Sequence, residues 1–300
     1  MRKERGIILK GIGGFYYVEI SNGIVYECKA RGLFRKNNVK PYVGDKVIIN
    51  INDEGLCSIE DILPRKNELI RPPISNIDKL VIVVSVCNPI PNTVVIDKMI
   101  ALSTNKKIEP IVVVTKTDLA DSKNLIEMYN AVGIKVFGFS SKFPKNIDEI
   151  ENVLLGNVSA FTGNSGVGKS TLLNCINKDL LLKTEEISSK LGRGKHTTRF
   201  VELYKLNDTT YVADTPGFST VDIERYEIIN KDKIQFCFRE FSPYINNCKF
   251  SSCTHICEKG CAVIDAVKNG KISKSRYNSY VYMYKEVKDV KEWKKKIWDA

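Results

Sequence analysis

The chain has 300 residues, 43% of them hydrophobic, and a formal net charge of +11, enough apolar material for two or three compact units with separate cores. No apolar run approaches the ~18 residues of a membrane-spanning helix, and Met1-Arg-Lys-Glu-Arg5 leads into an alternating stretch, not a signal-peptide core, so a cytoplasmic protein without a membrane partner is expected. The surplus of Lys and Arg favours partners with a phosphate backbone, nucleic acid first.

Residues 1–70 read as short strands with turn punctuation: Ile7–Leu9, Phe15–Ile20 after Gly13-Gly14, Val25–Cys28, Tyr42–Ile49 as a turn feeding a strand, and Cys57–Ile59. That spacing predicts a small barrel or sandwich. Arg31, Arg35, Lys36 and Lys40, with Phe34 among them, match the basic and aromatic furnishing of an OB-fold that binds nucleic acid; a structural barrel with a solvated loop is the alternative.

Arg71-Pro72-Pro73 reads as a linker into a second region, 71–222. There the pattern changes to continuous apolar runs, Leu80–Val84 and Ile111–Val114, separated by a helix-like stretch from Val94 to Leu102. Runs without alternation indicate strands buried on both faces, hence a parallel α/β sheet. The second run ends in Thr115-Lys116-Thr117-Asp118. An ionised carboxylate only accepts hydrogen bonds, and guanine, unlike adenine, presents two adjacent donors at N1 and the N2 amino group. Asp118 is therefore expected to select guanine, by on the order of 10³, with Lys116 laying its methylenes along the base. Thr115 stands where the commoner NKxD motif has Asn. A further strand, Lys135–Phe139, leads into Ser140-Ser141-Lys142, similar to the SAK element whose backbone N–H meets guanine O6.

Next, a strand at Val158–Thr162 runs into Gly163-Asn164-Ser165-Gly166-Val167-Gly168-Lys169-Ser170, and Thr171 onward begins a helix. This is GxxxxGKS in its strand-loop-helix setting: the loop amides and the helix N-terminus converge on phosphates, Lys169 reaches the β and γ phosphates, and the Ser170 hydroxyl ligates Mg²⁺. Tyr211–Ala213 ends in Asp214-Thr215-Pro216-Gly217, where the carboxylate can hold Mg²⁺ through water and the Gly217 N–H can sense the γ-phosphate. Between them, Gly192-Arg193-Gly194-Lys195-His196-Thr197-Thr198-Arg199 reads as a switch segment. Thr198 is the candidate to complete Mg²⁺ coordination, with Thr197 its competitor, and His196 is a candidate for orienting the attacking water or for contacting RNA. A GTPase ordinarily runs P-loop, switch, DxxG, NKxD, SAK; here the last two come first, as in a circular permutation.

Residues 223–300 form the third region. Cys248, Cys253, His255 and Cys261 supply a set suited to tetrahedral Zn²⁺ and too closed for a catalytic metal; Cys257 is a rival ligand. The region ends in a helical stretch where Tyr277, Tyr280, Tyr284, Val287, Val290, Trp293 and Ile297 recur at three- and four-residue steps, with Lys285, Lys288, Lys295 and Lys296 on other faces as a solvated surface or an RNA contact.

Together the barrel, the permuted motifs GNSGVGKST, GRGKHTTR and DTPGF, and the Cys-Cys-His-Cys spacing resemble the small ribosomal subunit-dependent GTPase A family, the RsgA or YjeQ group, over essentially the whole chain. The resemblance implies an N-terminal all-β OB-fold barrel (1–70), a central α/β circularly permuted P-loop GTPase (71–222) and a C-terminal, mostly helical zinc-binding domain (223–300). It also implies a monomer that binds GTP and GDP with Mg²⁺ and one structural Zn²⁺. Its expected partners are the 30S subunit and 16S rRNA, with GTP hydrolysis expected to be stimulated by that subunit and to drive release, and with an expected role in late small-subunit maturation. Carried over residue by residue, Gly163 to Thr171 bind phosphate, Thr115, Lys116 and Asp118 bind guanine, and the four Cys and His residues bind zinc. Phe218 follows Gly217 where Ras-like enzymes place a water-orienting Gln, so slow intrinsic hydrolysis is expected. The competing readings are an RNA-binding assembly scaffold with a vestigial nucleotide site, a P-loop ATPase, and a GTPase acting on tRNA or at a membrane.

Overall fold

The computed structural model describes residues 2–32, 34, 39–52, 57–143, 146–177, 201–215 and 229–288. Strands β1 (Arg2–Ile12), β2 (Phe15–Ile20), β3 (Val25–Ala30), β4 (Lys46–Ile51) and β5 (Cys57–Ile62) pair in the order β1-β2-β3-β5-β4, and β4 closes back on β1. A register shift at Ile8/Lys10 bends β1, so its first half pairs with β4 and its second with β2. Inward positions Ile8, Val18, Cys28, Val47, Ile49 and Ile59 are fully buried, and this closed five-stranded barrel is the expected OB-like fold.

Phe34 is more than surface furnishing. It packs, half-buried, against the barrel core, because Phe34 N–H donates to Arg31 O (3.1 Å) and its own carbonyl accepts from Val39 N–H (2.9 Å), a local turn that folds the ring inward. Arg31 pairs with Glu60 at 3.4 Å, while Arg35 and Lys36 lie outside the described residues. Among the described residues of the barrel, basic groups sit over aromatic rings at Lys29 and Phe15 (5.0 Å) and at Lys10 and Tyr17 (4.9 Å).

Arg71-Pro72-Pro73 is likewise not a free connector. It turns between β6 (Glu68–Leu69) and β7 (Ile74–Ser75), a hairpin tied to the barrel through the fully buried Asp45. That carboxylate accepts from Ser75 Oγ (2.6 Å), Tyr42 N–H (2.7 Å) and both arms of the Arg65 guanidinium (2.7 and 2.8 Å). A side-chain network closed over thirty residues outweighs the local punctuation that Pro-Pro supplies.

The central sheet contains β8 (Lys79–Ser85), β9 (Glu109–Thr115), β10 (Lys135–Phe139), β11 (Val158–Thr162), β12 (Glu202–Asn207) and β13 (Thr210–Asp214), in the spatial order β10-β9-β8-β11-β13-β12. All pairings are parallel except the β12–β13 hairpin. Helices α1 (Thr93–Asn105) and α2 (Lys123–Asn130) cover one face, burying Ile96, Met99 and Tyr129 against Leu80, Ile82, Val112 and Val114. Helices α3 (Ile147–Leu154) and α4 (Lys169–Ile176) cover the other, burying Ile150, Leu154 and Leu172 against Val81, Val83, Ile111 and Val113. Consecutive residues of β8 and β9 thus enter two different cores, which is why their sequence shows no alternation. The barrel joins this sheet through Lys10–Glu202 (3.3 Å) and through Glu19, 6% exposed, which holds Lys205 Nζ (2.9 Å) and Tyr211 Oη (2.7 Å).

The C-terminal region consists of short helices α5 (Lys231–Ile234), α6 (Ser242–Ile245) and α7 (Ala262–Lys268), two 3₁₀ turns at Gln235–Cys237 and Arg239–Phe241, and the longer α8 (Lys274–Val287). Its core stacks Phe238, Phe241 and Tyr280, with Phe241 and Tyr280 centroids 4.9 Å apart. The tyrosine stripe is core packing, as its spacing suggests, and Val290, Trp293 and Ile297 lie outside the described residues. α8 also packs on α1, through Lys98–Glu286 (2.8 Å) and Arg276–Asp97 (2.5 Å).

Candidate nucleotide and metal sites

Because β8, β9, β10, β11 and β13 run parallel, the loops leaving their C-terminal ends share one edge of the sheet. The chain steps from edge strand β10 back to β11, beside β8, so the order reverses between β8 and β11. Such a reversal leaves a crevice at the strand ends where ligands bind in open α/β sheets. Gly163–Gly168 begins in that crevice, immediately after β11.

The loop's shape requires its glycines. A Cβ on Gly163 would stand 2.4 Å from the Val83 carbonyl oxygen, and Gly168, at φ 90°, is the left-handed residue from which α4 starts. Val167 is buried and anchors the loop, whereas Asn164, Ser165, Gly166, Ser170 and Thr171 are exposed. At the mouth of the loop the Lys169 ammonium contacts the Asp214 carboxylate from the end of β13.

The segment after β9 is built against the same loop. Thr115, 2% exposed, places its hydroxyl 2.5 Å from the Val167 carbonyl and 3.1 Å from that of Val84. Lys116 has a left-handed backbone (φ 59°), and its ammonium donates to Gly166 O (2.8 Å) and to Asn88 O. Asp118, whose side chain is 13% exposed, accepts at Oδ1 from Ser140 Oγ (2.7 Å), with Lys142 Nζ 3.7 Å from Oδ2. The Ser140 bond first, and Lys142 after it, hold the Asp118 carboxyl below its ordinary range. Ser140 Oγ in turn accepts from Lys142 N–H (3.2 Å) and Phe143 N–H (3.4 Å), fixing the 140–143 turn in which Ser141 is exposed.

In the C-terminal region the ligand atoms of Cys248, Cys253, His255 and Cys261 lie within 4.8 Å of one another. A tetrahedral ion with thiolate and imidazole ligands sets edges of about 3.8 Å between sulfurs and about 3.5 Å from sulfur to nitrogen. The observed edges fit: Cys248 Sγ to Cys261 Sγ is 3.9 Å, and His255 Nδ1 is 3.6 and 3.3 Å from those sulfurs. Burial keeps the His255 imidazole below its usual pKa, in the neutral form a metal requires. Burial also pushes the Cys253 thiol up to about 12, so a bound cation is what would draw these thiols into the thiolate form. Cys257, the alternative ligand, is exposed and outside the group. These four residues can hold one metal ion.

Comparison with known proteins agrees with this arrangement. The RsgA GTPase family model matches residues 62–224, and the RsgA N-terminal domain model matches residues 5–59. The chain belongs to the RsgA GTPase family. A relative from Caldanaerobacter subterraneus subsp. tengcongensis, named small ribosomal subunit biogenesis GTPase RsgA, is 44% identical over 96% of this chain and 97% of its own length. A relative of the same name from Ruminiclostridium cellulolyticum is 42% identical over 98% and 97%. The crystal structure of YjeQ from Thermotoga maritima superposes with a TM-score of 0.83 at 35% identity, covering 97% of this chain and all of that one. YloQ, described as a circularly permuted GTPase, gives 0.79 at 34% identity and covers 97% of this chain and 96% of that one. This chain is accordingly a GTPase of circularly permuted fold.

For this RsgA-family chain the structure brings together the P-loop, Asp214, the 115–118 segment and the 140–142 turn, as well as the four Cys and His residues. Thr197, Thr198, His196, Gly217 and Phe218 lie outside the described residues. Several groups around these sites carry no sequence signal. Gln235 Oε1 accepts from His255 Nε2–H at 2.8 Å and so orients the ring, as outer partners of metal-bound imidazoles do. The Glu258 carboxylate accepts from the Thr254, Ile256 and Cys257 amides (2.8, 3.0 and 3.1 Å) and the Thr254 hydroxyl (2.5 Å), and these bonds hold it down to about 2. Tyr277 and Tyr280 of α8 donate to the carbonyls of His255 (2.8 Å) and Thr254 (2.7 Å), so the helical stripe also clamps the ligand loop. No short motif marks Gln235; its partner lies twenty residues away.

Proposed function

We propose that this chain acts on the small ribosomal subunit during its biogenesis, binding GTP at the crevice between β8 and β11 and hydrolysing it there. The observation that carries this reading is the convergence of Lys169, Asp214 and Asp118 on one edge of a permuted sheet, supported by near-full-length relatives named for that task. In the proposal the amides of Gly163–Thr171 and the Lys169 ammonium take the phosphates, while Asp118, with Lys116 and Thr115 behind it, takes guanine. The oxygen ligands at Ser170 and Asp214 suit Mg²⁺, which when bound would neutralise charge on the phosphates. Phosphoryl transfer depends mainly on positioning and electrostatics, and Lys169 supplies both. The Cys248, Cys253, His255 and Cys261 set favours Zn²⁺, since three thiolates and an imidazole exclude the hard cations. The barrel's Lys10/Tyr17 and Lys29/Phe15 pairs and the net charge of +11 favour rRNA as the surface met.

The test is GTP turnover by the full chain with purified 30S subunits, with 50S as control. Stimulation by 30S alone is expected, and equal rates in both would defeat the reading. Lys169→Ala is expected to reduce stimulated turnover by on the order of 10² or more; if it did so yet left subunit maturation in cells intact, a scaffold role would replace the enzymatic one.

Chelation provides a separate check of the metal site. Removing the ion should release one equivalent of zinc by elemental analysis, make Cys248, Cys253 and Cys261 reactive to a thiol reagent, and lower the thermal midpoint, because these ligands cross-link a region of short helices. Unchanged thiol reactivity after chelation would show that no metal staples the region.

A further inference from the structure

Guanine can be read on two edges: the donors at N1 and N2, and the acceptors O6 and N7 on the opposite side. Reading N7 requires a donor with a free hydrogen. An asparagine at the first position of an NKxD motif has an amide carrying one acceptor and two hydrogens, so it can hold a neighbouring carbonyl and still donate to the base. Here that position is Thr115, whose hydroxyl has a single hydrogen.

That hydrogen is already committed. Thr115 is 2% exposed, and its Oγ1 lies 2.5 Å from Val167 O and 3.1 Å from Val84 O, both of them acceptors only. Turning the O–H toward a bound base would strand a buried carbonyl of the P-loop. Of the neighbouring donors, the Ser140 hydroxyl gives its one hydrogen to Asp118 Oδ1 (2.7 Å), and the Lys116 ammonium is drawn to the P-loop side by Gly166 O (2.8 Å) and Asn88 O, which take two of its three hydrogens. Thr115 therefore braces the P-loop against β8 and β9.

We propose that this site reads guanine through the N1 and N2 donors at Asp118 and leaves N7 unread, Thr115 being a positioning residue and not a base contact. The proposal rests on the guanine-binding reading above and adds a definite specificity to it: replacing N7 by carbon changes nothing the protein senses, whereas removing the N2 amino group does.

The experiment is competition of GTP, 7-deaza-GTP, ITP and ATP against a fluorescent GDP analogue bound to the full chain. 7-Deaza-GTP should compete within about threefold of GTP, and ITP should be weaker by about tenfold or more, the loss of one hydrogen bond to a charged acceptor. Thr115→Asn should then create a penalty of about three- to tenfold for 7-deaza-GTP relative to GTP. Thr115→Val, which removes the hydroxyl, should weaken both nucleotides equally. A tenfold loss for 7-deaza-GTP with the unaltered chain, or a Thr115→Val variant that weakens GTP but not 7-deaza-GTP, would overturn the proposal while leaving guanine recognition standing. ATP competing as well as GTP would instead remove the guanine reading itself.

Discussion

Asp118→Asn is expected to weaken GTP binding by on the order of 10³ and to shift preference toward xanthine nucleotides. In the unaltered chain the carboxylate is pre-set for two donors. Ser140 Oγ–H holds Oδ1 at 2.7 Å, Lys142 stands 3.7 Å from Oδ2, and these neighbours keep the group ionised below its ordinary pKa range. An amide offers one acceptor where the carboxylate offers two and places N–H₂ against the guanine amino group, donor facing donor. Xanthine carries a carbonyl at that carbon, and the same amide then meets an acceptor. The measurement is displacement of a fluorescent nucleotide by GTP and by XTP, for both forms of the protein. A variant that kept GTP within threefold and ignored XTP would show that Asp118 does not face the base. Because the carboxyl is held low, selectivity in the unaltered chain should stay flat as pH falls from neutrality toward the ordinary carboxylate range, provided the fold persists.

That Asp118 could be singled out from sequence follows from how locally its context is encoded. A buried strand such as β9 announces itself by an apolar run, and the run ends where the functional loop begins; the P-loop after β11 and Asp214 at the end of β13 are marked instead by their own short motifs. The permutation was legible because motif order is itself sequence information, and the strand order β10-β9-β8-β11-β13-β12 shows how the sheet accommodates it. Strand β12 has no such signal: Glu202–Asn207 follows a basic segment and pairs antiparallel with β13 on one side and with β1 of the barrel on the other, half exposed and without a continuous apolar run. The packing of Phe34 against the barrel core is not legible in sequence, because aromatic and basic neighbours say nothing of which way a turn folds the ring. The hairpin around Arg71-Pro72-Pro73 looks like a linker in sequence because Asp45, which ties it down, is remote. Ser140 was visible as a motif position, but its grip on Asp118 depends on β9 and β10 being paired in register, Phe139 opposite Thr115. What the sequence could not display are side-chain partners set by tertiary packing: Gln235 behind His255, Glu258 within the ligand loop, and Arg276.

Arg276→Met is expected to destabilise the chain by about 3–5 kcal/mol, the scale for removing one partner of a buried ion pair. Arg276 of α8 is 1% exposed and bridges two carboxylates from different parts of the chain. Its Nη1 is 2.5 Å from Asp97 Oδ1 on α1, and its Nε and Nη2 are 2.8 and 3.1 Å from the two oxygens of Glu240. Asp97 is itself fully buried and also accepts from Tyr129 Oη at 3.0 Å. Methionine would fill much of the volume and leave both carboxylates without their cation. Arg276→Lys should not rescue, since one ammonium cannot reproduce the planar fork that serves Asp97 and Glu240 together, nor the guanidinium's seat 4.8 Å over the Phe238 ring. Burial nonetheless pushes the Asp97 carboxyl up against the pull of Arg276, a sign that desolvation is a large part of this network's balance. Removing all three charges together, as Asp97→Asn, Glu240→Gln and Arg276→Met, which keeps an acceptor for the buried Tyr129 hydroxyl, should therefore recover most of the stability that the single change loses. The readout is the denaturant midpoint, joined to nucleotide affinity. α1 carries Asp97 beside Ile96, which lines one cavity with Gly163 and Asn164 of the P-loop, so the helix that anchors the C-terminal region also borders the phosphate loop. If the triple variant regains its midpoint but GTP affinity stays low, the ion network positions α1 for the nucleotide; if both return together, the network serves stability alone.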